Sequence, residues 1–126
     1  MITGLDHVHI VFGNVEEGAK YFETLFGGQV VSRGEWQGQP VVRIDIQGSL
    51  IALMGTSAGA PQLVPGKGNR GLDHFGFKVK DFDQTMADLK KKGAKFSVEP
   101  SVAPSGVKYA FLEGPEGIRI ELLEKN

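Results

Sequence analysis

The stretch that decides the fold is Leu5-Asp6-His7-Val8, because it recurs as Leu72-Asp73-His74-Phe75. The two copies are 67 positions apart (74 − 7) in a chain of 126 residues, so they begin two halves of similar length. Self-similarity at one spacing indicates a repeated supersecondary unit. We therefore expect the two halves to contain the same order of strands and helices.

Each copy continues into a run in which apolar residues alternate with others, which is typical of a strand with one buried face. A helix start follows each run. The segments Asn14–Glu17 and Asp81–Gln84 both begin with a capping side chain and end with Glu or Gln, as in a capping box. The helical periodicity that follows stops at Gly27 and Gly93, which suit the left-handed position after a helix.

Three strand-like runs separated by Gly- and Pro-containing turns follow each helix. They cover roughly 29–33, 41–47 and 50–54 in the first half, and roughly 95–98, 108–112 and 118–123 in the second. The expected fold class is therefore α+β: two tandem β-α-β-β-β units that form a curved, half-open barrel sheet with the helices on its convex face. We expect a single domain over residues 1–126, with repeats at about 5–54 and 72–124 joined by a Gly- and Pro-rich connector over 55–71.

Composition narrows the classes of function. A net charge of −1 gives no reason to expect nucleic acid or an anionic membrane as a partner. The absence of cysteine excludes disulfides, thiolate nucleophiles and Cys-based zinc sites. The sequence shows neither a signal peptide nor an apolar run of membrane-spanning length, so a cytoplasmic location is expected.

Strand parity divides the polar residues from the apolar ones, since successive side chains of a strand point to opposite faces. One face is apolar and is expected to pack on the helices. The opposite face receives all three histidines of the chain and forms a concave pocket. Its members are His7, His9, Arg43, Asp45, Ala52, His74, Lys78, Tyr109, Phe111, Arg119 and Glu121.

Two imidazoles and one carboxylate on this face, those of His7, His74 and Glu121, are a minimal ligand set for a divalent metal. Glu121 lies in an apolar strand, where a carboxylate without a partner would be costly. A lone strand histidine is more often an ordinary hydrogen-bonded residue. The pseudo-symmetric placement of His7 and His74 nevertheless favours a site for one ion of Zn, Ni, Co, Mn or Fe(II), with further positions open to water or substrate.

Three stretches, Asp6-His7-Val8-His9-Ile10, Gly71 to Phe77 and Phe111 to Glu121, resemble the vicinal oxygen chelate superfamily across the whole chain. The most specific element is the ending Pro115-x-Gly117-x-x-x-Glu121. This superfamily includes glyoxalase I, methylmalonyl-CoA epimerase, fosfomycin-resistance enzymes, extradiol dioxygenases and the metal-free bleomycin-resistance proteins. The resemblance implies metal ligands at His7, His74 and Glu121.

Departures from the family patterns select among these activities. By the repeat, Ala52 stands where glyoxalase I and the epimerase carry a fourth ligand. Three ligands are instead the pattern of fosfomycin-resistance enzymes and extradiol dioxygenases. The dioxygenases have a tyrosine at the position of Phe111 and a histidine further upstream, whereas residues 102–104 contain none. Tyr109 lies on the same face but is only an imperfect substitute for that tyrosine.

The expected function is therefore that of a metal-dependent lyase, isomerase or transferase acting on a small oxygenated metabolite. The metal would serve as a Lewis acid on adjacent oxygen atoms of the substrate. One alternative is an Fe(II) extradiol dioxygenase acting on catechols. The other is a non-enzymatic protein that sequesters a drug or metabolite, as the bleomycin-resistance proteins do.

The remaining polar residues of the pocket are candidates for proton transfer and substrate binding. His9, Asp45 and Tyr109 are the candidate catalytic residues, and His9 is suited to acid or base chemistry near neutral pH. Arg43, Arg119 and Phe111 are the candidate substrate-binding residues, and the two arginines could hold a substrate carboxylate or phosphate. Alternatively, His9 is an ordinary strand residue with no part in catalysis. Arg43 and Asp45 could likewise form an ion pair with each other instead of contacting a substrate. By analogy with half-open sheets of this kind, we also expect a homodimer.

Overall fold

The chain folds into two units, Met1–Pro61 and Gln62–Asn126, in a computed structural model that describes residues 1–62, 64 and 66–125. Leu63 and Pro65 of the predicted connector lie outside the described residues. The boundary between the units falls within that connector. The single domain predicted over residues 1–126 stays a prediction.

The first unit contains one helix and four strands. They are β1 (His7–Phe12), α1 (Val15–Phe26), β2 (Gln29–Trp36), β3 (Gln39–Ile46) and β4 (Ser49–Gly55). The strand order is β1-β4-β3-β2, with β1 parallel to β4 and the other neighbours antiparallel. The first strand of the unit thus pairs with its last strand.

The second unit repeats this arrangement. Its elements are β5 (Phe75–Lys78), α2 (Phe82–Lys91), β6 (Phe96–Val102), β7 (Lys108–Glu113), a 3-10 turn (Pro115–Gly117) and β8 (Arg119–Glu124). The order is β5-β8-β7-β6, again with the first strand parallel to the last. Neither four-stranded sheet closes into a barrel, and the predicted α+β fold of two β-α-β-β-β units is confirmed.

The two helices begin differently, although both were predicted to have capping boxes. At α1 the side chain of Asn14 accepts the backbone N–H of Glu17 at 3.0 Å, as predicted. At α2 the prediction is wrong, because Asp81 makes no side-chain capping bond and has a φ of 48°. Glu124 of β8 instead accepts the Phe82 N–H at 3.1 Å. A carboxylate at this end also suits the helix dipole.

Apolar residues of each helix and sheet form the core. In β1 the alternation of exposed and less exposed residues follows the predicted parity, with His7 and His9 exposed and Phe12 buried. Each large apolar side chain removed from water contributes about 1.5–3 kcal/mol. The largest fully buried side chains are Phe12, Phe22, Ile44, Leu53, Leu112, Ile120 and Leu122.

The packing of α1 in the first unit is close. A Cβ built on Gly18 would lie 3.0 Å from the Phe12 ring and 3.2 Å from a Leu53 methyl group. Gly18 therefore brings the helix against β1 and β4. None of the helices in the described part of the chain is long and apolar enough to cross a membrane.

Candidate functional site

His74 and Glu121 come together in the second unit. His74 lies one residue before β5, rather than inside the strand as expected, and Glu121 lies in β8 opposite Gly76. Nε2 of His74 is 3.4 Å from Oε1 of Glu121. This distance exceeds that of an ordinary N–H···O hydrogen bond. It matches the separation, roughly 3.4 Å, of two ligand atoms bonded to one tetrahedral metal at about 2.1 Å.

Asp73 holds the other nitrogen of the same imidazole. Its Oδ2 lies 2.8 Å from Nδ1 of His74 and accepts a hydrogen bond from Arg119 Nη1 at 2.7 Å. Its Oδ1 accepts the backbone N–H of Gly66 at 2.9 Å. The hydrogen bond from His74, the Gly66 N–H and the Arg119 charge together hold the pKa of Asp73 below its usual range. Asp73 is therefore an ionised acceptor that orients its neighbours.

An ionised carboxylate can only accept hydrogen bonds, so the proton shared between Asp73 and His74 belongs to Nδ1. In its neutral form this imidazole carries its lone pair on Nε2, which faces Glu121. Two acceptors facing each other require a proton or a cation between them. The donor set of this pair therefore fits a divalent metal.

Aromatic side chains surround this pair. The Phe111 ring meets the His74 ring edge to face at 4.8 Å between centroids, and the Arg119 guanidinium lies 4.6 Å from the Phe111 centroid. The ring centroid of Tyr109 lies 6.3 Å from that of Phe111, on the same face of β7. Arg119, which was predicted to hold an anionic substrate group, forms an ion pair with Asp73 and stacks on Phe111, and its role in substrate binding stays a prediction.

The first unit repeats one part of this arrangement. Nδ1 of His7 lies 2.8 Å from Oδ2 of Asp6, so the Asp–His pair occurs twice. The Asp6 side chain is 87% exposed, against 43% for Asp73. The His9 ring lies 6.3 Å from the His7 ring and 6.5 Å from the Trp36 ring. Both histidines thus share the exposed face of β1, as the parity predicted.

Residues of β3 and β4 continue this face. Ala52 pairs with His9 on one side and with Arg43 on the other. Asp45 accepts the Gly48 N–H of the hairpin turn at 3.4 Å, and the ion pairs found among the described residues do not include one between Arg43 and Asp45. The simple pairing considered from the sequence is therefore not observed, and Asp45 has a role in its turn.

The structure thus groups the predicted site residues by unit. His74, Tyr109, Phe111, Arg119 and Glu121 belong to the second unit, while His7, His9, Arg43 and Asp45 belong to the first. Within the described residues, no three His, Asp or Glu side chains are arranged to hold a metal ion. The three-ligand set accordingly stays a prediction.

Sequence reasoning missed Asp73, Asp6 and Trp36. The two aspartates were visible in the repeat, and the signal was their position directly before the histidines. Trp36 gave no such signal, since it lies at the end of β2, far along the chain from His9.

Comparison with known proteins identifies the family of this chain. The model of the Glyoxalase/Bleomycin resistance protein/Dioxygenase superfamily matches residues 4–122. A probable chloroplastic lactoylglutathione lyase of Arabidopsis thaliana is 43% identical over 56 residues, which are 44% of this chain and 16% of that protein. The chain thus matches only a small part of this relative.

Solved structures extend the similarity over nearly the whole chain. A glyoxalase family protein from Enterococcus faecalis has a TM-score of 0.83 at 22% identity, covering 96% of this chain and 97% of that one. The fosfomycin resistance protein FosX from Listeria monocytogenes has a TM-score of 0.76 at 14% identity, covering 100% and 96%. At these identities the similarity shows the fold alone.

The family match covers both units, and the resemblance noted in the Asp-His repeats and the Pro115-to-Glu121 ending is confirmed. This chain belongs to the Glyoxalase/Bleomycin resistance protein/Dioxygenase superfamily.

Proposed function

We propose that the protein is a divalent-metal-dependent enzyme, a lyase, isomerase or transferase that acts on a small oxygenated metabolite. The observation that carries this proposal is the 3.4 Å approach of His74 Nε2 to Glu121 Oε1, with Nδ1 of the same ring held by Asp73. His74 and Glu121 supply two ligands, and His7, with its own Asp6 partner, supplies the third. When bound, the metal supplies Lewis-acid chemistry at adjacent substrate oxygens.

The chain's own side chains would share the remaining tasks. Arg119, held by Asp73, places a fixed positive charge beside Phe111, where it favours an anionic or electron-rich substrate group. His9, exposed on β1 two residues after His7, is suited to move a proton to or from the substrate. Tyr109 and Phe111 supply an aromatic surface next to the metal ligands of the second unit.

Two observations favour this activity over others of the superfamily. Ala52, at the position of the fourth ligand of glyoxalase I, offers only a methyl group and is 2% exposed. Phe111, at the position of the dioxygenase tyrosine, packs on the His74 ring and has no hydroxyl to offer. The alanine favours a three-ligand site, and the phenylalanine argues against a dioxygenase among the enzymes that have such a site. The similarity to FosX and, over a segment, to a lactoylglutathione lyase supports the same broad class.

Metal analysis tests the proposal. Protein purified without a histidine tag should take up about one divalent ion per chain, measured by calorimetry with Zn²⁺, Ni²⁺, Co²⁺, Mn²⁺ and anaerobic Fe²⁺. His74→Ala and Glu121→Ala should each weaken binding on the order of 100-fold or more, and His7→Ala should weaken it if His7 is the third ligand. Glu23→Ala, which removes an exposed carboxylate from α1, is the matched control. Equal affinity in wild type, His74→Ala and Glu121→Ala would disprove the site.

Different experiments would identify the two alternative functions, a dioxygenase and a sequestering protein. Aerobic ring cleavage of a catechol by the Fe²⁺ form would instead identify a dioxygenase. Stoichiometric ligand binding that is equal with and without chelator would identify a sequestering protein. The predicted homodimer stays a prediction, and light scattering at micromolar concentration checks it.

A further inference from the structure

The carboxylate of Asp73 connects three segments of the second unit. It accepts hydrogen bonds from the connector through the Gly66 N–H, from His74 before β5, and from Arg119 at the start of β8. These donors lie 2.9, 2.8 and 2.7 Å from its oxygens. One side chain thus sets the orientation of two residues of the candidate site and holds the loop beside them.

The consequence for His74 is chemical as well as steric. A neutral imidazole has one N–H, and the hydrogen bond at one nitrogen decides which nitrogen carries it. With Asp73 accepting from Nδ1, the lone pair is on Nε2, 3.4 Å from Glu121. Without Asp73 the ring would be free to place its proton on Nε2 and donate it to Glu121. That tautomer has no lone pair at the position where a metal would bind.

The first unit provides an internal comparison. Asp6 makes the same 2.8 Å contact with Nδ1 of His7, but among the described residues it has no second hydrogen-bond donor. Within the described part of the chain no donor comparable to Arg119 or Gly66 contacts its carboxylate, and its side chain is largely exposed. The Asp6–His7 contact is therefore the weaker of the two, because a carboxylate without other bonds exchanges readily with water.

We propose that Asp73 is the positioning residue of this site: it fixes the Nδ1–H tautomer of His74 and fixes the Arg119 guanidinium over Phe111. It is not a ligand itself, since both of its oxygens are engaged by other donors. The role in metal affinity rests on the proposed function. The role in the tautomer does not, because it concerns the metal-free protein.

Nitrogen NMR of the histidine rings in the metal-free full-length chain tests the proposal. The measurement is made at about pH 8.5, roughly two units above the ordinary pKa of histidine. Wild type should show His74 with its proton on Nδ1. Asp73→Ala should move that proton to Nε2, and Asp73→Asn, which keeps the side-chain shape and one acceptor oxygen, should give a mixture. Asp73→Asn also serves if the alanine variant does not fold.

Two controls separate positioning from a merely structural role. Arg119→Gln removes the ion pair but leaves the Asp73–His74 contact, so the His74 tautomer should be retained. Asp6→Ala should leave His74 unchanged. A His74 ring that keeps Nδ1–H in both Asp73 variants would overturn the proposal, and so would loss of that tautomer in Arg119→Gln.

Zn²⁺ affinity is the second readout. Asp73→Ala should bind Zn²⁺ about 10- to 100-fold more weakly than wild type, the usual effect of removing the hydrogen-bond partner of a ligand histidine. An unchanged affinity in a variant whose tautomer has changed would overturn the metal part of the proposal. If wild type itself binds no metal, the proposed function fails, while the NMR result still decides the role of Asp73.

Discussion

Ala52 and Glu121 occupy equivalent positions in the two sheets. Ala52 of β4 pairs with His9 of β1, and Glu121 of β8 pairs with Gly76, which stands 67 positions after His9 (76 − 9). In the first pair the larger side chain is on the first strand of the unit, where His9 lies beside Ala52. In the second pair it is on the last strand, where Glu121 lies beside Gly76. A Cβ on Gly76 would lie 3.4 Å from the Cβ of Glu121, so glycine gives the carboxylate room.

This equivalence makes Ala52→Glu informative. Ala52 lies on the same face as His7, whose register partner is Leu50, two residues before it on β4. If His7 is a metal ligand, a carboxylate at position 52 should add a ligand, tighten divalent-metal binding about 10-fold or more and raise the thermal midpoint only when metal is present. Ala52→Gln, of similar size but neutral, is the control. A glutamate variant that binds metal no more tightly than the glutamine variant would contradict the expected role of His7.

His9 should matter for rate rather than for metal retention. It lies on the exposed face of β1, its ring 6.3 Å from that of His7, and the face already has one ligand candidate. With a substrate in hand, His9→Gln should lower kcat/KM on the order of 100-fold if His9 transfers a proton, with unchanged metal stoichiometry. Loss of metal in this variant would instead make His9 a ligand.

The hydroxyl of Tyr21 in α1 is buried and has no hydrogen-bond partner among the described residues. Removing an unsatisfied buried hydroxyl relieves a desolvation cost, so Tyr21→Phe should stabilise the protein by about 1 kcal/mol at pH 7. Chemical denaturation measures the change. A lower free energy of unfolding in the variant would show that the hydroxyl has a partner in solution.

The same residue predicts the behaviour at high pH. Burial raises the pKa of Tyr21 from 10.0 to about 12 in the folded chain. A raised pKa contributes stability below pH 10, and this contribution is lost as the pH rises to about 12, by up to about 3 kcal/mol. Wild type should therefore lose stability over this range more steeply than Tyr21→Phe. Parallel stability curves for the two proteins would contradict the assignment.

Gly18 should resist replacement although it lies inside a helix. Alanine is favoured over glycine there by about 1 kcal/mol of helix propensity. The added methyl group would, however, press on Phe12 at 3.0 Å and on Leu53 at 3.2 Å, and overpacking of this kind costs about 1–3 kcal/mol. We expect Gly18→Ala to be destabilising in denaturant titrations. Gly34→Ala, where a Cβ meets nothing within 4 Å, is the control and should be close to neutral.

The sequence predicted what depends on local pattern and on the repeat. Strand parity placed the site residues of each sheet on one face, and Asn14 was correctly identified as a helix cap. The predicted cap of α2 was wrong because the Phe82 N–H at the start of that helix is bound by Glu124, which lies 42 residues further along the chain. Likewise the ion pair between Arg119 and Asp73, which lie 46 residues apart, was not predicted. Pairings over such distances depend on the folded geometry, which no local periodicity contains.

The parallel pairing of first and last strands has a further consequence for how the chain tolerates interruption. Because β1 pairs with β4 and β5 pairs with β8, each sheet draws all of its strands from one side of the Pro61–Gln62 bond. A backbone cut or a foreign peptide inserted at that bond severs none of the described strand pairs. The connector is thus the place where this chain can be divided into two fragments, each of which keeps a complete hydrogen-bonded sheet.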